Sequence, residues 1–494
     1  MCGILGIFGE LEEKTHYESM LRSLKHRGPD DRGVVQADSH FLGHNRLSIV
    51  DVEKGHQPFQ SKENQISLVC NGEIYNFKDL RNELGKDYPF QTNSDNEVII
   101  PIFQRERKHA AKFLDGMFSF VLSDANSYYV ARDPIGIKPL YYGTEDKCIY
   151  FASEVKALVD VAERIHEFPH GHFFHPTTRF QPYYQLPEVH NFITDEEEAI
   201  KRIQHTLRRS VRKRLMSDVP VGVFLSGGLD SSLIAALMKE EVEELHSFSV
   251  GLPNSADLKA ARIVADHLGT IHHECIYSED EMAEVLPKVI YHLESYDAAL
   301  VRSAVPCYFV SRLASEFVKV ILTGEGSDEL FAGYSYLADY HDPDALQKES
   351  MRILNGLHNI NLQRVDRMTM AHSLEGRVPF LDTDLIRTVL SISPHLKMYC
   401  TYGIEKWLLR KAFEDLLPRE IVWRDKMEFA HGCGSSTVFE RQAEKIPDGE
   451  LHNATKRGLP LTNKEELLYY KVFQKFLDHP DMPNLIGRWQ GTLH

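Results

Sequence analysis

Ser226-Gly-Gly-Leu-Asp-Ser-Ser232 packs hydroxyls, glycines and one carboxylate into a single short stretch. Glycine lets a backbone approach a ligand closely, and the N–H groups at a helix start favour an anion. Ser226, Ser231 and Ser232 add hydroxyl donors. Asp230 is the odd member, because a carboxylate beside a bound phosphate repels it. Mg²⁺ between the two removes the conflict, since it prefers carboxylate and phosphate oxygens. A bare Ser-Gly-Gly fits an ordinary strand–turn–helix equally well. Ser-Gly-Gly-x-Asp-Ser after a buried strand is far more specific. The Walker spacing occurs nowhere in the chain.

A second acidic, glycine-containing loop is Thr323-Gly-Glu-Gly-Ser-Asp-Glu-Leu-Phe-Ala-Gly333. Gly324 and Gly326 open backbone access, Asp328 can share Mg²⁺ with Asp230, and Glu325 is a candidate base or substrate-positioning carboxylate. Far upstream, Cys2 follows Met1 directly. Removal of Met1 leaves a thiol beside an α-amine whose ordinary pKa is about 7.7–8. That amine can take the thiol proton and return it to a leaving group. A lone cysteine starting a strand is the plainer reading, and the segments that follow change it.

Those segments are His26-Arg-Gly-Pro-Asp30, Arg46-Leu-Ser-Ile-Val-Asp51, Asn71-Gly-Glu-Ile-Tyr-Asn76, Asn93-Ser-Asp-Asn-Glu97, Asp115 to Phe120, Ala131 to Tyr142 and Phe151-Ala-Ser-Glu154. With Cys2 they resemble the class II glutamine amidotransferases, over about 180 residues. The resemblance implies that Cys2 attacks the glutamine amide and that Asn71 and the Gly72 N–H form the oxyanion hole. It further implies that Arg46 pairs with the glutamine α-carboxylate, that Leu47, Ser48, Ile49 and Val50 also bind glutamine, and that Glu73 and Asp95 hold its α-ammonium. Singly, Arg46 reads as a surface ion pair, Asn71 as a turn residue and Asp95 as a helix cap.

The 226–232 stretch resembles the pyrophosphate loop of enzymes that split ATP to AMP and pyrophosphate. Joined to the 323–333 loop, it resembles the glutamine-hydrolysing asparagine synthetases. On that resemblance Leu225, Val250, Thr323 and Gly324 cradle ATP. Ser226, Gly227, Gly228, Asp230 and Ser231 grip pyrophosphate, Asp230 and Asp328 hold Mg²⁺, and Glu325 supports a β-aspartyl-adenylate. Lys426, in Trp423-Arg-Asp-Lys426, would neutralise the departing pyrophosphate. Asp366 to Asp382 also matches; there Glu375, Arg377 and Asp382 shape the aspartate pocket or, the reading preferred, only brace it, and Asp297 and Arg302 are similarly placed. The pattern departs at Thr323 (commonly Ser), Gly376 (Ala) and Ala430-His431 (Ser-Asp), which bears on acceptor geometry rather than on the chemistry. Ammonia must reach an adenylate that water would destroy, so the chemistry implies an apolar interdomain tunnel.

Behind these residues stand two kinds of element. Short β-rich runs such as Ile66 to Val69 and Ser119 to Leu122, with helices near 15–25, 77–84 and 97–113, suggest sheets sandwiched between helices. The family fold is the αββα N-terminal-nucleophile sandwich. Strands are expected at 46–51 and 168–174, and 181–187 closes this part. A polar linker at 189–198 and an amphipathic helix from 196 to 217 follow, its Arg and Lys residues mostly a solvated face. Strands at 221–225, 246–251, 271–276 and 316–321, alternating with helices, predict a doubly wound parallel α/β sheet with ligands at the carboxyl ends of its strands. The expected domains are 2–188 and 196–494.

Composition agrees with an ordinary globular protein: 494 residues, 43% hydrophobic, 26% charged. A net charge of −16 argues against a nucleic-acid partner. No apolar run reaches the ~18 residues of a membrane helix, and the start lacks a basic leader, so no membrane partner and a cytoplasmic location are expected. Seven scattered cysteines without Cys-x-x-Cys spacing indicate neither disulfides nor zinc. The partners expected are L-glutamine, L-aspartate and ATP, with room for a homodimer. Two rivals remain: a ligase of the same build with another acceptor, and a non-catalytic sensor of glutamine or nucleotide. Intact Cys2, Asp230, Glu325 and Asp328 disfavour the sensor.

Overall fold

Two six-stranded antiparallel sheets build the N-terminal part of the chain. This computed structural model describes residues 2–11, 15–37, 39–61, 65–124, 127–427, 429–434 and 436–488. The first sheet runs Arg164–Glu167, Tyr141–Glu145, Cys148–Ala152, Cys2–Phe8, His40–Arg46, Asp31–Ala37. The second runs Arg179–Pro182, His172–His175, Ser127–Arg132, Gly116–Asp124, Ile66–Ile74, Phe59–Ser61. Ile4, Leu42, Val69, Val121, Phe151 and Phe174 form one apolar cluster between them. Phe118, Phe120 and Leu122 point the other way, into a cluster with Leu80, Leu84, Ile99 and Phe103 of helices Phe77–Leu84 and Ile99–Glu106. Alternate side chains of a strand face opposite sides. Gly116–Asp124 is therefore buried on both faces, because sheet covers one and helix the other. Thr15–Ser23 packs on the first sheet, which completes the αββα layering.

The C-terminal part holds a five-stranded sheet in the order Ile271–Ile276, His246–Gly251, Val221–Phe224, Val320–Leu322, Glu375–Arg377, every pair parallel. From Val221–Phe224 the chain winds outward to one side, then returns to build the other. Its switch point lies between Val221–Phe224 and Val320–Leu322, where open α/β sheets bind ligands.

Several boundaries differ from the sequence reading. The strand expected at 46–51 instead ends at Arg46, as His40–Arg46. Residues 47–49 leave the sheet, and the Ser48 N–H donates to Asp30 Oδ2 at 2.8 Å. The strand expected at 168–174 is His172–His175, because Pro169 has no N–H to give and Gly171 takes φ +63°. The strand expected from 316 is only Val320–Leu322. In the helix Glu196–Lys213, Arg208, Arg209 and Arg212 form exposed ion pairs as expected of a solvated face. Arg214 just beyond it turns inward and is buried on Asp382 at 3.0 Å.

A buried ionic cluster joins the two parts. Arg27 donates to the Cys2 carbonyl (3.0 Å), to Glu154 (2.6 Å) and to Asp366 (2.7 Å). Arg367 reaches Glu294 at 2.9 Å, and Lys156 spans Glu154 and Glu294. Among the described residues no helix is long and apolar enough to cross a membrane.

Candidate active site

Cys2 begins an interior strand of the first sheet, opposite Arg46, its register partner. Its backbone N–H donates to Asn71 Oδ1 at 2.9 Å. That bond leaves Asn71 Nδ2, also buried, with no hydrogen-bond partner among the described residues. A buried amide donor without an acceptor is costly unless a ligand supplies one. Gly72 follows at φ +145°, where a Cβ would sit 2.0 Å from the Met117 carbonyl oxygen, so only glycine fits. Burial pushes the Cys2 thiol above its ordinary pKa, so it needs a base to become a nucleophile.

Glu73 and Asp95 come together at the same place. Asp95 Oδ2 accepts the Ile74 N–H at 2.7 Å, and one Glu73 oxygen is buried without a hydrogen-bond partner among the described residues. Burial, reinforced by Asp95, pushes the Glu73 carboxyl well up; burial raises Asp95 to about 6. Such a pocket gains by receiving a cation. Arg46 is buried too, but its guanidinium donates to the carbonyls of Val50 (3.2 Å), Asp51 (2.7 Å) and Val52 (3.1 Å). It thus holds the 47–50 loop in place and brings positive charge to that side. The expected site residues Cys2, Arg46, Leu47, Ser48, Ile49, Val50, Asn71, Gly72, Glu73 and Asp95 therefore lie at strand ends of the two facing sheets and in the loops beside them. Met1 lies outside the described residues.

The second centre is a cavity of about 360 Å³ at the switch point. Its lining includes Leu225, Ser226, Gly228, Asp230, Ser231, Val250, Thr323, Gly324, Glu325, Asp328 and Lys426. Gly227 does not line it. Its φ of +71° turns the chain against the helix Ala256–Leu268, where a Cβ would lie 2.4 Å from the Ala260 carbonyl carbon. Its role is the turn. The helix Leu229–Lys239 follows Gly228, its N-cap, and has no side-chain cap on its first N–H groups.

The charges in this cavity are mutual. Asp230 Oδ1 accepts from Ser327 Oγ (2.7 Å), and Lys406 Nζ bridges Asp230 Oδ2 (2.6 Å) and Asp328 Oδ1 (2.5 Å). Lys426 Nζ also reaches Asp328 Oδ1 at 2.5 Å. Burial opposes ionisation of Asp328, but the two lysines outweigh it and hold its pKa well below the usual carboxylate range. Arg364 pairs with Glu325, whose carboxyl is pushed up by burial. Lys406 and Arg364 were not singled out from sequence. No local pattern marks Lys406; its φ of +57° just before the helix Trp407–Ala412 is set by the fold. Among the described residues no group of three or more His, Cys, Asp or Glu stands ready for a metal. Two facing carboxylates nevertheless fit Mg²⁺, which takes one or two of them and completes its shell with substrate phosphates and water.

Glu375, Arg377 and Asp382 do not line this cavity. Asp382 caps Thr383–Leu390 and pairs with Arg214. Asp297 caps Ala298–Ala314, and Arg302 sits on Glu465. The side chains of Ala430 and His431 lie outside the described residues.

A thiol nucleophile on an αββα sandwich, joined to a nucleotide-type cavity on a parallel sheet, defines a two-centre amidotransferase. A glutamine amidotransferase domain model matches residues 1–209, and an asparagine synthase model matches 202–343 and 338–490. A probable glutamine-hydrolysing asparagine synthetase of Schizosaccharomyces pombe is 40% identical over 99% of this chain and 96% of its own. The glutamine-hydrolysing asparagine synthetase B of Escherichia coli is 40% identical over 97% and 92%. A probable one from Dictyostelium discoideum is 38% identical over 100% and 96%. The chain belongs to the glutamine-hydrolysing asparagine synthetase family.

Proposed function

We propose that this enzyme converts aspartate, glutamine and ATP to asparagine, glutamate, AMP and pyrophosphate, with residues 2–188 as glutaminase and 196–494 as synthetase. One observation carries the reading: the same chain holds a buried thiol bonded through its own backbone to Asn71 and, separately, an anion-type cavity around Asp230. Either centre alone fits other chemistries.

Loss of Met1 frees the Cys2 amine, which takes the thiol proton as Sγ attacks the glutamine side-chain carbonyl. The unpartnered Asn71 Nδ2 and the Gly72 N–H receive the oxyanion. The α-ammonium rests on Glu73 and Asp95, and Arg46 faces the α-carboxylate. The protonated amine returns its proton to the departing ammonia, and water releases glutamate from Cys2.

In the second cavity the Leu225, Val250, Thr323 and Gly324 backbones hold the nucleotide, and Ser226, Gly228 and Ser231 bind its phosphates. Asp230 and Asp328 would hold Mg²⁺, which neutralises phosphate charge when bound. Lys426 and Lys406 follow charge onto pyrophosphate as the aspartate β-carboxylate displaces it. Glu325, kept on Arg364, accepts a proton as ammonia attacks the adenylate. The route for ammonia is supported by one apolar cluster that includes Leu47, Ile49, Met117, Ile135 and Ile137 from one part with Leu225, Leu229 and Val378 from the other. A cytoplasmic location and a homodimer complete the proposal.

Product analysis by mass spectrometry with Mg-ATP, glutamine and aspartate tests it. Asparagine should appear with AMP and pyrophosphate. Glutamate without asparagine or AMP would leave the first centre correct and the acceptor wrong. Cys2→Ala should abolish the glutamine-dependent reaction and keep the ammonia-dependent one.

A further inference from the structure

Arg377 belongs to the last strand of the parallel sheet, Glu375–Arg377, yet its guanidinium points away from the ATP cavity and toward the other centre. It is fully buried. Nε donates to Glu375 Oε1 at 2.6 Å, and Nη1 donates to the carbonyls of Arg214 and Met216, both at 2.6 Å. These three bonds fix the plane of the guanidinium. They leave Nη2, which has no hydrogen-bond partner among the described residues, 3.7 Å from Glu73 Oε1. Glu73 Oε2 is buried and without a hydrogen-bond partner as well.

Two carboxylates of the N-terminal domain, Glu73 and Asp95, are thus packed together with a third, Glu375, from the synthetase side. Three buried like charges cannot all stay ionised without a facing cation. Arg377 opposes the burial-driven rise at both Glu73 and Asp95. Lys138 lies close by, but its Nζ donates to the Gly376 carbonyl at 3.2 Å. Arg377 is the group whose unbonded edge is turned to Glu73.

We propose that Arg377 is a positioning residue of the glutaminase: its guanidinium faces Glu73 and aims it, so that the subsite for the glutamine α-ammonium is built across the domain boundary. This rests on the reading of Glu73 and Asp95 as that subsite. A glutamine site completed by the synthetase strand ties glutamine capture to the packing of the partner that consumes the ammonia. Arg377 does not touch the reacting atoms, so it acts on substrate affinity rather than on the chemical step.

The test uses the full chain, with glutamate release measured against glutamine concentration and asparagine formation measured with ammonia as nitrogen source. Arg377→Met should raise KM for glutamine about tenfold and change kcat by less than about threefold. The ammonia-dependent rate should stay within about twofold, because Arg377 lies outside that cavity. In a Glu73→Gln background the same substitution should add less than about twofold to KM, since its target is gone. A wild-type KM in Arg377→Met, or an undiminished increase in the Glu73→Gln background, overturns the inference. A wild-type KM in Glu73→Gln alone overturns the subsite reading itself and the inference with it. Arg377→Lys keeps the charge without the fork and cannot serve Glu375, two carbonyls and Glu73 at once. It should raise KM about threefold, and it decides the matter where Arg377→Met does not fold; a wild-type KM there overturns the inference.

Discussion

Cys2 and Asp230 stand at the centres of two pockets made by different means. Around Cys2 every polar group is buried, and strand pairing sets its place: Cys2 opposite Arg46, Asn71 opposite Ser119. The donor Asn71 Nδ2 and the acceptor Glu73 Oε2 are held without hydrogen-bond partners among the described residues. Around Asp230 the lining comes from loops at strand ends and from helices beside them, much of it partly exposed, and its charges satisfy one another through Lys406 and Lys426. An amide is small and neutral, so its transition state gains most from rigid, preorganised donors. A triphosphate carries its own charge, so its pocket needs countercharge that can shift from protein carboxylates to phosphates as the anion arrives. The buried ionic cluster around Arg27, Asp366 and Arg367 keeps the two in fixed register, and Arg27 touches the Cys2 carbonyl directly.

The sharpest way to separate the two pockets is Asp230→Asn. Pyrophosphate release with saturating ammonia should fall about a thousandfold, while glutamate release from glutamine persists. Equal loss in both assays would break the comparison. Next in size is Asn71→Ala, which removes the rigid donor. Glutaminase kcat should fall about a hundredfold, and ammonia-dependent synthesis measured beside it should not follow. The smallest effect is on pH. Burial raises Asp95 to about 6, and only its ionised form attracts an ammonium. As pH falls from about 8 to about 5 the carboxyl takes up a proton, so KM for glutamine should rise about tenfold, with no parallel change in KM for ATP. A flat KM profile would show that the burial of Asp95 does not govern glutamine binding.

Much of this was legible in the chain itself. The strand–loop–helix at 221–239 and the acidic loop at 323–333 announced their geometry, because glycine, hydroxyl and carboxylate spacing is a local property. The cores of most elements were legible from periodicity, whereas boundaries at 46, 172 and 320 depended on proline, glycine and partner strands. Lys406 and Arg364 escaped notice, since each is one basic residue among many until the fold brings it to Asp230 or Glu325.

The sequence by itself determined the two chemistries, their order along the chain and the types of residue that perform them. It could do so because nucleophile, oxyanion donor and phosphate loop each lie within a few residues of backbone. Only the tertiary structure decided how the two are joined: that Arg27 links the Cys2 carbonyl to Asp366, and that Arg377 turns from its own sheet toward Glu73. Contacts between residues hundreds of positions apart leave no spacing to read. They are selected by burial, which makes an unpaired charge costly enough that partners must be found across the domain boundary.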